Sequence, residues 1–211
     1  MAWIKIIEYK DAKGKLKKLY DRVKGPNGKV DNILKAHSLR PHTLEGHMYL
    51  YKNVLHNSGN TLPKWFLESV GVFVSILNHC NYCVEHHYAG LKRLLNDDKR
   101  AAEFRDAFVK YTKQDKNNEY VPLQADFSEK ERRLLDYAYI LTKVPAILNK
   151  TIIKEIKDSG VTDEEILEVN QVVSYFNYAN RTVSGLGVDL KSDILGLSPG
   201  DSDDPKNWNH A

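Results

Sequence analysis

The sequence contains very little cysteine, and this scarcity excludes two common kinds of small domain. Its 211 residues include only Cys80 and Cys83, three positions apart. Two cysteines cannot form the disulfide framework of a small secreted scaffold. They also lack the second pair that a zinc ribbon of two C-x-x-C knuckles requires. What remains is a chance pair of small apolar side chains, a mixed cysteine–histidine metal site or a redox dithiol.

Long apolar runs and a strong net charge are missing as well. No stretch approaches the roughly 18 apolar residues of a membrane-spanning helix. The first residues, Met1 to Lys5, lack the apolar core and cleavage site of a signal peptide. The net charge is only +3, from 31 basic and 28 acidic residues that are mixed along the chain. We therefore expect a cytoplasmic protein that binds neither membranes nor nucleic acid.

The alternating pattern of strands is also missing, and helical periodicity takes its place. We expect an all-α fold with a single domain at 1–196 and a polar C-terminal tail at 197–211, which is flexible or docks on a neighbouring subunit. Capping boxes at Ser128 and Thr162 start two of the helices. The predicted helices span about 11–24, 31–39, 41–58, 62–78, 81–95, 97–112, 128–144, 151–159 and 162–186, with a charged loop at 113–119.

One acidic residue stands out in the most apolar of these helices. Glu68 is the only charged residue between Trp65 and Asn78. A buried carboxylate is costly unless it is paired, hydrogen-bonded or protonated. Glu68 is therefore either on the one exposed face of this helix or a buried acid whose raised pKa suits it to proton transfer.

The two cysteines follow at the junction with the next helix. Residues i and i+3 of a helical turn lie on the same side, so Cys80 and Cys83 are spaced for a disulfide or a dithiol. The helix dipole stabilises a thiolate in the first turn. His86 and His87 lie three and four residues after Cys83, so either imidazole can reach its sulfur. Acid, dithiol and histidine together favour a thiol redox site.

A metal site would use the same residues. Cys80, Cys83 and His87 supply three ligands, and Glu68 or His79 a fourth, although ligands from one helical turn usually need a partner from a distant segment. Three further histidines recur every five residues and share no helix face, so we expect them to be solvated or structural. They are His37, His42 and His47.

The order Glu68-x11-Cys80-x2-Cys83-x3-His87 resembles the alkylhydroperoxidase D-like branch of the carboxymuconolactone decarboxylase-like superfamily, in particular its longer peroxidase-related members. The segment 176–188, with its N-x-x-N-R sequence and Leu-Gly-Val, is similar to the same group. The resemblance spans roughly residues 3–190. The sequence departs from it at Tyr82, where well-described members carry a further histidine. A tyrosine, whose pKa is ordinarily about 10, is no base at neutral pH.

This resemblance implies an all-helical homo-oligomer (a dimer, trimer or hexamer) that acts as a thiol-dependent peroxidase without cofactor or metal. It implies that Cys83 attacks the hydroperoxide and that Cys80 resolves the resulting sulfenic acid as a disulfide. Glu68 and His87 would form the proton relay. An external dithiol, which the resemblance indicates to be of the lipoyl type, would reduce the disulfide.

Two other functions remain open from the residues alone. One is a carboxymuconolactone decarboxylase-like enzyme acting on a small lactone, against which the dithiol argues because that chemistry does not need it. The other is a non-catalytic redox sensor or metal-binding oligomer. Arg181, late in the last helix, is expected to complement the helix dipole or to form a structural salt bridge rather than to bind substrate.

Overall fold

The computed structural model describes residues 2–114 and 123–210, and within these ranges no strand is present. The all-α expectation is confirmed, and residues 115–119 of the predicted charged loop lie outside the described ranges. No described helix is both long and apolar enough to cross a lipid bilayer. The helices are α1 (Gly14–Val23), α2 (Asn32–Ala36), α3 (Pro41–Leu55), α4 (Lys64–Leu77), α5 (Asn81–Leu95), α6 (Asp98–Gln114), α7 (Glu129–Lys143), α8 (Lys150–Asp158) and α9 (Asp163–Leu186).

The helix starts follow the local sequence signals closely. Both predicted capping boxes are present, with the Ser128 and Thr162 hydroxyls accepting from the backbone N–H groups three residues on. The α1 helix begins three residues later than predicted, at Gly14, because Tyr9–Asp11 form a separate 3₁₀ turn. The remaining differences are confined to helix ends, where the periodicity of a sequence is least informative.

The core is organised around α4, which packs against α5, α6, α7 and α9. Apart from Lys64, Glu68 and two serines, its sequence is apolar on every side, as expected for a helix surrounded by others. Gly71 allows the closest approach, because a Cβ atom there would lie 2.2 Å from Cζ of Phe176 on α9. The Phe176 ring extends past Gly71 and contacts His87 on α5, with ring centroids 4.5 Å apart. Because Gly71 has no side chain, α4, α5 and α9 pack closely together beside His87.

A tight turn between α4 and α5 places the cysteines. His79 adopts a left-handed conformation (φ +55°) that ends α4, and the backbone N–H of Cys80 donates to the carbonyl of Ser75. Cys80 is consequently the N-cap of α5 and Cys83 lies in its first turn. Both sulfurs are therefore at the positive end of the helix dipole.

The C-terminal residues fold back over the helices, and we refer to residues 196–210 as the C-terminal strap. Trp208 is only 1% exposed, and the Arg22 guanidinium lies 3.7 Å from its ring centroid. The strap therefore packs on its own chain rather than extending freely, and its docking on a neighbouring subunit stays a prediction. The reason for this packing is the apolar area of Trp208, which burial removes from water. The division into 1–196 and 197–211 stays a prediction.

Candidate active site

Glu68 and His87 face each other across the contact between α4 and α5. Oε2 of Glu68 lies 2.8 Å from Nδ1 of His87, and Glu68 is 3% exposed. Burial by itself raises the pKa of Glu68, but the charge and hydrogen bond of His87 outweigh it, so this pKa lies below its ordinary value. The expectation of a raised pKa was wrong, as was the alternative of an exposed position. The buried acid has a basic partner from the next helix and is a carboxylate.

The two cysteines form a close thiol pair. Both are free and buried, with their Sγ atoms 2.9 Å apart. The hydrogen bond between them lowers the pKa of Cys80 to about 7, despite the opposing effect of burial. The same hydrogen bond, with burial, raises the pKa of Cys83 well above its ordinary value. The negative charge of the ionised pair is therefore on Cys80.

Side chains of α9 complete the surroundings of this dithiol. The Ser184 hydroxyl lowers the pKa of Cys80 and the Asn180 amide lowers that of Cys83, each by hydrogen bonding to sulfur. Asn180 is 1% exposed and also donates to the Ser75 hydroxyl, 3.1 Å away. Arg181 turns outwards and donates to the carbonyl groups of Asn177 in its own helix. These contacts stay within α9, and the expected helix-dipole or salt-bridge role of Arg181 stays a prediction.

A single small cavity brings the predicted residues together. Cys83, Glu68 and His87 all line it, whereas Cys80 is not among its described lining residues. The cavity holds about 50 Å³, room for roughly three to five water-sized molecules. The rest of its wall comes from α2, α3, α9 and the strap, and includes Asp31, Leu34, His47, Tyr51, Tyr175, Leu197 and His210.

Tyr82, between the two cysteines, braces the first turn of α5. Its hydroxyl donates to Oδ2 of Asp193 at 2.7 Å and accepts from the backbone N–H of Ile33 at 3.1 Å. Burial raises the pKa of Tyr82 well above its ordinary value, and the nearby Asp193 charge adds to the effect. The His86 ring packs on Tyr82, and its Nε2 lies 3.4 Å from the same Asp193 oxygen. Tyr82 therefore positions the dithiol and is not a base.

Two polar residues of the cavity wall were not predicted to belong to the site. Burial raises the pKa of Asp31 to about 6 and lowers the pKa of His47 to about 3. His37, His42 and His47 were expected to be solvated or structural; His42 is exposed, and His37 and His47 are buried. The i, i+4 spacing of His47 and Tyr51 on α3 is the one pattern that connects two of the missed residues.

The alternative of a metal site receives no support from the geometry. Among residues 2–114 and 123–210, no three His, Cys, Asp or Glu side chains are placed to hold a metal ion together. His79, one candidate fourth ligand, is exposed at the turn before α5. Glu68, the other candidate, is engaged by His87.

Solved structures show the same helical arrangement. An uncharacterised peroxidase-related protein from Ralstonia eutropha JMP134, described as an alkylhydroperoxidase AhpD core, matches with a TM-score of 0.74 and 20% identity over 90% of this chain and 93% of that one. The chain has the alkylhydroperoxidase D fold. A peroxidase-related protein from Silicibacter sp. TM1040 matches with a TM-score of 0.66 and 23% identity, over 82% of this chain and 83% of that one. The fold that the sequence resemblance implied is thus confirmed.

A further structure with this fold has a different activity. The debrominase Bmp8, as a cysteine-to-alanine variant in complex with 2,3,4-tribromopyrrole, matches with a TM-score of 0.65 and 16% identity over 89% of this chain and 90% of that one. No protein-family model matches the sequence, and no curated protein matches it significantly. The alkylhydroperoxidase D fold therefore does not determine the reaction, which has to be argued from the site.

Proposed function

We propose that this protein is a thiol-dependent peroxidase that reduces hydroperoxides through a dithiol–disulfide cycle of Cys83 and Cys80. One arrangement carries the proposal. Cys83 lines the same cavity as the hydrogen-bonded Glu68–His87 pair, and its sulfur lies 2.9 Å from that of Cys80. A peroxide in this cavity would meet a thiol, its resolving partner and a proton relay together.

Access decides which sulfur attacks. The ionised pair has its charge on Cys80, but Cys83 is the cysteine that lines the cavity. A peroxide has to touch the sulfur that it oxidises, and the hydrogen bond between the sulfurs provides a path for the proton. We therefore assign the attack to Cys83, after its proton has moved to Cys80.

The first step oxidises Cys83. In the starting state Cys80 is a thiolate, Cys83 is a thiol, and the hydrogen-bonded Glu68–His87 pair holds one proton. The Cys83 proton moves to Cys80, and the Cys83 sulfur attacks the terminal oxygen of the hydroperoxide. The S–O bond forms while the O–O bond breaks, which leaves Cys83 as sulfenic acid. The departing alkoxide takes the proton of His87 and leaves as an alcohol, or as water when the substrate is hydrogen peroxide.

The second step closes the disulfide. Cys80 attacks the Cys83 sulfur, the S–O bond breaks, and the hydroxide leaves as water with the proton of Cys80. An external dithiol then supplies two electrons and two protons, which return to Cys83 and His87. The substrate and reductant supply every atom and electron in this cycle, so no cofactor is required.

Mass spectrometry of the intact protein tests the cycle directly. After one equivalent of peroxide the wild type should lose two hydrogens, and a thiol reductant should restore them. Cys80→Ser should stop at the sulfenic acid, gaining one oxygen that dimedone traps, and Cys83→Ser should consume no peroxide. Equal peroxide consumption by the wild type and both variants would show that the dithiol is not the reactive group.

We also propose a lipoyl-type dithiol as the physiological reductant, in a cytoplasmic setting that keeps the cysteines reduced. A dithiol closes its own disulfide on oxidation, so each turnover needs only one reductant molecule. Turnover with dihydrolipoamide should exceed turnover with glutathione at equal thiol concentration. A preference for glutathione would argue against this reductant class.

Self-association is the third part of the proposal. Several large apolar side chains are exposed on the isolated chain, including Trp3 at 80%, Leu167 at 56% and Ile147 at 54%. Exposed apolar area of this kind supports contacts between subunits. Sedimentation velocity should show a dimer, trimer or hexamer. A monomer at micromolar concentration would contradict the proposal.

Reductive debromination is the second candidate, because the debrominase with this fold was captured with a brominated pyrrole. The same dithiol would supply two electrons, so that C–Br becomes C–H, bromide and a proton are released and the disulfide forms. The cavity of about 50 Å³ favours a peroxide over a tribrominated ring. Bromide release from 2,3,4-tribromopyrrole, compared with peroxide consumption by the same preparation, separates the two reactions.

A further inference from the structure

The C-terminal strap forms one wall of the cavity that contains Cys83. Gly196, Leu197, Ser198 and His210 line it opposite the helices. The cysteines themselves are almost fully buried, Cys80 at 2% and Cys83 at 3% exposure. Any reagent that reaches Cys83 through this cavity therefore passes beside the strap.

The near end of the strap is fixed tightly to α5. Gly196 has a left-handed conformation (φ +78°), and a Cβ atom there would lie 3.0 Å from Cβ of Ala89 and 3.1 Å from the backbone nitrogen of Gly90. The Arg93 guanidinium donates to the carbonyl of Gly196 at 2.6 Å and to the hydroxyl of Ser198 at 3.1 Å. These contacts hold the strap against α5 one turn beyond His87.

The far end is anchored to α1 and α3. Trp208 packs against Arg22 and lies edge-on to Tyr49, with ring centroids 5.0 Å apart. Closer to the near end, the ammonium of Lys52, fully buried on α3, donates to the carbonyl of Gly200 at 2.5 Å. An isolated backbone bridge between Pro199 and His210 joins the two ends of the strap. The strap is consequently a fixed part of the cavity wall.

Leu197 has little room to move away from the cavity. A Cβ atom on Gly25 would lie only 2.7 Å from its Cδ1, so the side chain is packed between the cavity and the chain after α1. Hydrogen peroxide has two heavy atoms and fits a space of about 50 Å³. A bulky aryl hydroperoxide needs the volume that Leu197 occupies.

On this basis, and resting on the peroxidase function proposed above, we propose that the strap restricts the site to small hydroperoxides. Leu197 is the side chain that sets the size limit, and Arg93 is the residue that holds the strap closed. Neither Leu197 nor Arg93 forms a hydrogen bond with Glu68 or His87. Their replacement should therefore alter the selectivity for peroxide size rather than the rate of the chemical step.

Two hydroperoxides of different size test this proposal in the enzyme. The wild type should prefer hydrogen peroxide to cumene hydroperoxide in kcat/KM. Leu197→Ala should shift this ratio towards cumene hydroperoxide by about tenfold, the effect expected for a few methylene groups in a pocket. The matched control is Leu195→Ala, whose side chain is 43% exposed two residues earlier. A wild type that prefers cumene hydroperoxide, or equal ratios in the two variants, would overturn the proposal.

Thiol labelling tests the strap without any turnover. Reduced wild type should react at Cys83 with iodoacetamide much faster than with 5-iodoacetamidofluorescein, which carries the same reactive group on a bulky dye, and both Leu197→Ala and Arg93→Gln should narrow that difference. Arg181→Gln, on the outer face of α9, should leave it unchanged. If labelling shows this size dependence but no peroxide is consumed, the strap does limit access to Cys83 and the proposed peroxidase function is wrong. If peroxide is consumed but the labelling rates do not depend on reagent size, the strap proposal is wrong and the peroxidase function is not affected.

Discussion

Oε2 of Glu68 lies 2.8 Å from Nδ1 of His87, and this hydrogen bond joins the middle of the central helix to the helix that carries both cysteines. It explains how a carboxylate remains ionised in an otherwise apolar helix, because His87 offsets the desolvation that burial imposes. It also holds the imidazole in one orientation beside the cavity. Substitutions in the Glu68–His87 pair therefore test the proposed proton relay most directly.

Replacing Glu68 by Gln should lower peroxide turnover by about 10²-fold, since the isosteric amide has no negative charge to support proton transfer through His87. The pKa of Glu68 lies below its ordinary value, so its protonation should reduce the wild-type rate only in acid. That contribution to the pH profile should disappear in the variant. Steady-state rates across pH measure both effects, with Glu103→Gln on the exposed face of α6 as the control. An unchanged profile would remove Glu68 from the relay.

The two thiols should titrate very differently. The hydrogen bond with Cys83 lowers the pKa of Cys80 to about 7, so thiolate absorbance in the ultraviolet should rise around neutral pH. Cys83→Ala removes this hydrogen bond and should move the transition towards the ordinary value for cysteine. Cys80→Ala should abolish the neutral transition altogether. A neutral transition that survives in Cys80→Ala would place the thiolate on Cys83 instead.

Asp31→Asn should stabilise the protein at alkaline pH. Burial raises the pKa of Asp31 from 3.8 to about 6, so the folded state holds its proton more tightly than the unfolded state. Stability is then lost as pH rises from about 4 to 6, and the asparagine variant avoids this loss. We expect a gain of about 2–3 kcal/mol in the free energy of unfolding at pH 8 and none near pH 4.

Urea unfolding at the two pH values measures this difference. Asp203→Asn, at an exposed position of the strap, serves as the control and should show no such dependence. A gain for Asp31→Asn that is equal at both pH values would mean that the ionisation of this carboxyl does not cause it.

Tyr82→Phe should destabilise the fold by about 1–3 kcal/mol, because it leaves a buried carboxylate without one of its donors. The Tyr82 hydroxyl donates to Asp193, whose side chain is 2% exposed. Tyr178→Phe removes a hydroxyl from a residue that is 40% exposed and should cost much less. Chemical denaturation of both variants tests this brace, and equal losses would contradict it.

Gly71→Ala should destabilise the protein by at least about 1–3 kcal/mol, the usual cost of overpacking a core. The added methyl group would lie 2.2 Å from Cζ of Phe176. Gly46→Ala is the matched control, since it is also helical but has nothing within 4 Å, and it should stabilise α3 slightly. Adding Phe176→Leu to Gly71→Ala should restore part of the loss. No rescue would mean that the clash lies elsewhere.

The helices and the dithiol could be predicted because their signals are local. Capping boxes, apolar periodicity and the C-x-x-C spacing each lie within one or two turns of helix. The pairing of Glu68 with His87 was harder to predict. The sequence contains both residues, but it does not show that α4 and α5 place them opposite each other. The direction of the Glu68 pKa shift was therefore wrong while the residue itself was identified.

The cavity wall could not be predicted because it is assembled from distant segments. Asp31 and Tyr82 reach this wall, and Asp193 accepts the hydrogen bond of Tyr82, only after α2, α5 and the residues beyond α9 have packed together. The polar, proline-containing residues 197–211 were expected to be flexible or to dock on a neighbouring subunit, and the buried Trp208 instead packs this segment on its own chain. Contacts between segments so far apart in sequence produce no periodic pattern from which they could be predicted.

The position of the strap also has a consequence for biosynthesis. The cysteines leave the ribosome more than a hundred residues before the strap does, which at ordinary translation rates amounts to roughly 5–20 s. During that interval the nascent chain has a dithiol without the wall that later covers it. Oxidants and bulky disulfides can reach these sulfurs then more easily than at any later time. Newly made chains should therefore depend on a reducing environment more strongly than the finished protein does.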